Sequence, residues 1–131
     1  FYCARKRDTA IAETQYHSAL FMAATAEPPM RLQMRLYTVA ANGKVTDLRP
    51  ASQAEPRIVN PNDYAYPQSI GRTLRAEGVQ GMLYPSVRHP GGECLAALRT
   101  GLLKNCAHAA YLEYHWNGQG IDAVFELAQL L

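Results

Sequence analysis

The chain carries little that would tie it to a metal, a disulfide scaffold, a bilayer or a polyanion. Its 131 residues include three cysteines, Cys3, Cys94 and Cys106, far apart and without a CxxC pair. That spacing argues against a zinc ribbon or a secreted disulfide framework and suits a reducing compartment. The four histidines share no ligand spacing, so no metal site is expected. No apolar run approaches the roughly eighteen residues that a membrane-spanning helix needs. A net charge of +2 is too small to mark nucleic acid as a direct partner. Internal repeats and low-complexity tracts are lacking as well, which sets aside solenoids and disordered linkers.

What is present describes an ordinary globule. Hydrophobic residues make up 48% and charged residues 18%, and the length suits one core, so a single domain over residues 1–131 is expected. The opening stretch, FYCARKRDTAIAETQYH, reads as a short strand, a basic turn Arg5–Lys6–Arg7 and the start of a helix. Asp8 or Thr9 can cap that helix, and Pro28–Pro29 end it. Glu13 falls on its second turn, where the helix dipole favours a charged carboxylate. Spacings of three and four put Ala10, Glu13, His17 and Leu20 on one face.

MRLQMRLYTVA alternates Met30, Leu32, Met34 and Leu36 with Arg31, Gln33, Arg35 and Tyr37. This period of two predicts a half-buried strand with a basic, solvated outer face. Asn42–Gly43 signals a tight turn into a short strand over 45–48. Prolines 50, 56 and 61 suggest that residues 49–63 form an extended connection. Residues 66–77 read as a helix closed by Gly78, and 79–84 as a strand that Pro85 ends, delivering Ser86 at its exit. Another strand is expected over 93–98, and a hairpin from 109–116 through NGQG to 121–127, although a helix is possible for its last segment. Glu113 and His115 alternate on one strand face and could pair. More strand than helix, joined by hairpins, predicts an α+β domain.

Two stretches together, YCARKRDTAIAETQYH and GVQGMLYPSVRHPGGECLAA, resemble the RES domain family, the toxin halves of bacterial type II toxin–antitoxin pairs. The resemblance maps the family's glutamate onto Glu13, its serine onto Ser86 and its tyrosine onto Tyr2. The family's arginine lies upstream of that tyrosine, and this sequence opens at Phe1, so an N-terminal segment is expected to precede it. The resemblance implies an ADP-ribosyltransferase-like core, two small sheets with flanking helices over a cleft for NAD. It further implies cytoplasmic residence, a cognate helix-turn-helix antitoxin as partner, and a possible homo-oligomer within that complex.

Such a toxin destroys NAD at the nicotinamide–ribose bond by hydrolysis or phosphorolysis. The alternatives are mono-ADP-ribosylation of a host protein and a non-catalytic interaction module of the same fold. Breaking that bond develops positive charge on the ribose, as glycoside cleavage does, and a fixed carboxylate such as Glu13 would stabilise it. Tyr2 offers a ring to stack and a polar tip. Ser86 offers a small hydroxyl for a ribose or phosphate, and Arg88, the nearest cation in sequence, a phosphate contact. The plainer readings are a surface carboxylate, a core tyrosine, a turn serine, and a turn-flanking Arg88 and His89.

Overall fold

The computed structural model describes residues 1–131. The fold is α+β, with two small sheets and flanking helices. The chain divides into two compact units, one comprising Phe1–Glu13 and Ala41–Lys104, the other Thr14–Ala40 and Asn105–Leu131.

In the first unit, β1 (Tyr2–Ala4), β5 (Glu93–Ala97), β4 (Gly81–Pro85) and β3 (Val45–Asp47) lie side by side in that order. β5 runs antiparallel to both neighbours, whereas β3 and β4 are parallel. The expectation of hairpins alone is therefore corrected. A parallel pair needs a crossover, and residues 49–63, expected to be extended, supply part of it. They form α2 (Arg49–Ala54) and a 3-10 turn (Pro56–Val59) before α3 (Ala65–Ala76). Pro50 and Pro56 stand in first turns, where a missing N–H costs nothing and the fixed φ suits a helix. Gly78, at φ +81°, takes the left-handed position past α3, and its N–H donates to Arg75 O.

Because side chains alternate along a strand, the register sorts this sheet into two faces. Cys3, Leu95, Leu83 and Val45 share one, where they pack with Ala97, Leu102 and Leu103. Leu102 is wholly buried, a burial that contributes about 2 kcal/mol. A Cβ at Gly81 would stand 2.6 Å from Leu102 Cδ2, so only glycine lets β4 pass that side chain. The other face carries Tyr2 and Ala4 on β1, Cys94 and Ala96 on β5, and Met82 and Tyr84 on β4.

The second unit holds β2 (Met30–Ala41), β6 (Leu103–Trp116, its first residues in the first unit) and β7 (Ile121–Leu127), in the order β2-β6-β7. β6 and β7 form the expected hairpin, with the last segment a strand. The alternation along β2 is as read, with Leu32, Met34 and Leu36 half-buried and Arg31, Gln33, Arg35 and Tyr37 exposed. Helix α1 (Arg7–Thr25) runs from one unit into the other. In the second, Thr14 Oγ1 meets Tyr114 Oη at 2.8 Å and Gln15 Nε2 donates to Ile121 O. Tyr114, Leu112, Trp116, Ile121 and Met22 are buried there.

The helix begins at Arg7, so neither Asp8 nor Thr9 is its cap. It ends at Thr25, three residues before Pro28, and beyond it Ala26 adopts φ +52° and Glu27 N–H donates to Met22 O. No helix is long and apolar enough to cross a membrane.

Candidate functional site

Three elements of the first unit bring Glu13 its partners. The second turn of α1 presents the carboxylate, the exit of β4 presents Ser86, and β5 presents Cys94. Ser86 Oγ donates to Glu13 Oε1 at 2.5 Å, and Cys94 Sγ donates to the same oxygen at 3.8 Å. Both donors fall on Oε1.

Ser86 is held in turn by its own loop. Its Oγ accepts from the backbone N–H groups of His89, at 3.0 Å, and Arg88, at 3.3 Å. A hydroxyl has one proton and two lone pairs, so the capacity of Ser86 is committed within the protein. Ser86 N–H donates to Gly92 O and Gly92 N–H to His89 O, closing the loop 86–92 on itself. The side chain of His89 then reaches α1, its Nδ1 lying 2.8 Å from Oγ1 of the fully buried Thr9. Thr9 and Glu13 are one turn apart, so the loop is fastened to the helix at two successive positions.

Cys94 and Tyr84, cross-strand partners, sit beside this carboxylate. Burial first, and then the charge of Glu13, pushes the Cys94 thiol up to about 12, so it remains a thiol and a donor. Burial also raises the Tyr84 phenol, with Cys94, Glu13 and Tyr2 adding to the effect. Sequence reasoning missed both residues. The signal for Tyr84 was its place two residues before Ser86, which puts it on the strand that delivers the serine.

Tyr2 lies on the same sheet face as Cys94 and Tyr84, by the register Tyr2↔Ala96 and Ala4↔Cys94↔Tyr84. Its side chain is 76% exposed, which corrects the alternative that it packs in the core. Arg88 Nη2 donates to Pro61 O at 2.8 Å, tying the Ser86 loop to the chain ahead of α3.

The opposite face carries charges of its own. Glu93 bonds both Arg5, at 2.7 Å, and Arg49, and Arg49 also grips Asp47 through Nε and Nη2. The Arg5–Lys6–Arg7 turn is thus not simply solvated, since Arg5 pairs with Glu93. Arg49 holds the Asp47 carboxyl at about 2, and Arg5 and then Arg49 hold Glu93 below its usual range.

In the second unit, His115 Nε2 and Glu113 Oε1 do pair, at 2.7 Å. Arg31 lies 3.8 Å from that carboxylate, and Arg35 sits over the Tyr111 ring. His17 is exposed, edge-on to Tyr16. A groove of about 580 Å³ lined by α1 and β2 also belongs to this unit and includes none of Glu13, Ser86 or Cys94.

Comparison with known proteins bears on this constellation. The chain is 27% identical over 121 residues to the uncharacterized protein y4oC of Sinorhizobium fredii (strain NBRC 101917 / NGR234), a match covering 91% of this chain and 48% of that protein. The chain thus spans about half the length of this curated relative. The profile of the RES domain matches residues 1–117, a span that takes in Tyr2, Glu13, Ser86 and Arg88, and the chain belongs to the RES domain family.

Proposed function

We propose that this RES domain consumes NAD by breaking the nicotinamide–ribose bond, as the toxin of a toxin–antitoxin pair. The observation that carries the reading is the Glu13–Ser86 bond at 2.5 Å, a carboxylate fixed by a residue 73 positions away. In the reaction the C1′–N bond breaks heterolytically. Its electron pair leaves with neutral nicotinamide, and the ribose becomes an oxocarbenium-like centre. Glu13, held through Oε1, offers Oε2 to a ribose hydroxyl and places its negative charge beside the forming cation. A preorganised charge of this kind needs no reorganisation as the transition state forms.

Ser86 orients the carboxylate, and Cys94 supports it from the sheet. Tyr2, exposed on the same face, offers a ring for stacking on a base or on nicotinamide. Arg88 orders the Ser86 loop through its bond to Pro61 O, and a guanidinium at this place suits a phosphate contact. Water or inorganic phosphate then adds at C1′ and loses a proton. The host compartment is the cytoplasm, and a helix-turn-helix antitoxin is the partner that keeps the enzyme silent.

The test is product analysis after incubation with NAD. Nicotinamide with ADP-ribose is expected in phosphate-free buffer if water is the acceptor, and a phosphorylated ADP-ribose appears with phosphate if phosphorolysis operates. Label transferred to added protein would identify a transferase instead. NAD left intact by the wild-type chain, with cellular NAD and growth unchanged on expression, would overturn the proposal.

A further inference from the structure

Strand β2 forms one edge of its sheet, with β6 as its neighbour in the order β2-β6-β7. It is twelve residues long, MRLQMRLYTVAA, and contains neither proline nor an acidic residue. A long edge of this kind presents unpaired N–H and C=O groups as a template for another strand. Along its first residues runs the groove of about 580 Å³, lined by Phe21 and Met22 of α1 and by Met30, Arg31, Leu32, Gln33 and Met34 of β2. Phe21 is 66% exposed, and a methionine-rich lining adapts readily to incoming side chains.

Successive side chains of β2 ask for different neighbours. Met30, Leu32 and Met34 give the groove its apolar lining, Arg31 and Gln33 line it as well, and Arg31 and Arg35 are exposed. Arg31 is engaged only loosely, 3.8 Å from a carboxylate already bonded to His115. A second copy of the chain would bring Arg31 and Arg35 against the same two cations with no anion on either strand, and like charges opposite one another are destabilising. A strand alternating apolar and acidic residues meets both requirements at once.

We infer that β2 is a docking edge for an extended acidic–apolar segment of a partner polypeptide, added as a fourth strand beside it. Main-chain hydrogen bonds along the edge supply affinity, and the alternating side chains supply selectivity. The inward side chains fill the groove against Phe21, and the outward carboxylates pair with Arg31 and Arg35. None of these residues belongs to the Glu13 site, so the inference stands apart from the NAD chemistry.

The probe is a short acetylated and amidated peptide of alternating valine and glutamate, with a valine–lysine peptide as control, followed by fluorescence anisotropy. The glutamate peptide is expected to bind at least about tenfold more tightly than the lysine peptide. Amides of β2 should gain protection from hydrogen exchange in its presence. The double variant Arg31→Glu/Arg35→Glu should reverse the preference, Arg31→Gln/Arg35→Gln should abolish it without reversal, and Phe21→Ser should weaken both peptides. All these substitutions are at exposed positions, and circular dichroism checks that each variant is folded. Failure of the glutamate peptide to bind, equal binding of the two peptides, or protection outside β2 would overturn the inference. So would a concentration-dependent dimer of the wild-type chain that Phe21→Ser dissolves, since it would make a second copy the occupant.

Discussion

Thr9 Oγ1 and His89 Nδ1 meet at 2.8 Å one helical turn ahead of the bond between Glu13 and Ser86. The two contacts make α1 and the loop 86–92 a single mechanical piece. Whatever loosens the loop also releases the carboxylate. Several expectations follow from that coupling, and others from charges elsewhere in the first unit.

Glu13→Gln should keep the bond from Ser86 and lose the charge. NAD consumption is expected to fall at least about 100-fold, the scale of removing one preorganised electrostatic group, with a melting temperature close to wild type. Glu13→Ala differs, because the carboxylate is half-buried and accepts two bonds. A cost of about 1 kcal/mol is expected for it, despite the better helix propensity of alanine. Steady-state kinetics and thermal melts check both, and near-wild-type activity in Glu13→Gln would remove Glu13 from the reaction.

Gly92→Ala tests the coupling without removing a polar group. An added Cβ would lie 2.7 Å from Thr9 Oγ1 and 2.9 Å from His89 O, so the loop must move away from α1. Overpacking of this kind typically costs about 1–3 kcal/mol. Activity should fall more than the folded fraction does, and chemical denaturation alongside kinetics separates the two losses.

The carboxyls paired with arginine set an acid limit. Asp47 is held at about 2 instead of the usual 3.8 by bonds from Arg49, and Glu55 at about 2 instead of 4.5 by bonds from Arg57. A depressed carboxyl stabilises the folded state fully above its unfolded pKa, and that contribution is lost as pH falls toward the folded one. Urea midpoints should therefore decline between pH 4.5 and pH 2. Asp47→Asn should flatten part of that decline, and an identical slope in the variant would refute the assignment.

Cys94 and Cys106 should separate cleanly under a thiol reagent at neutral pH. Cys106 is exposed, whereas Cys94 is buried and pushed up to about 12. Because the thiolate is the reactive form, alkylation of Cys94 is expected to lag far behind that of Cys106 until denaturant is added. Peptide mapping after timed labelling checks this, and fast native labelling of Cys94 would mean that the Ser86 loop opens readily.

Local signals were legible where one periodicity or one breaker dominated. The alternation of β2, Gly78 after α3 and the β6–β7 hairpin were all readable for that reason. Residues 49–63 misled because their prolines read as breakers, while Pro50 and Pro56 instead start helical turns. The parallel pairing of β3 with β4 depends on contacts distant in sequence, which no local pattern encodes. At the site, residue types and resemblance pointed to Tyr2, Glu13 and Ser86. What stayed hidden was that the donors of Ser86 and Cys94 converge on one oxygen. Tyr2 was open to reading as a core ring, and only its 76% exposure decides that Tyr2→Ala should cost little stability.

The strand order β1-β5-β4-β3 has a consequence for the timing of assembly. Tyr2 and Glu13 leave the ribosome ahead of Ala96, Cys94 and Ser86, the residues that fix their positions. Each of these pairings closes a long loop, and nonlocal closure of this kind forms slowly. A nascent chain therefore holds a helix and a short apolar edge without any assembled centre. Under the proposed NAD-consuming activity, that delay would leave an interval in which a partner can be made before the first active copy exists.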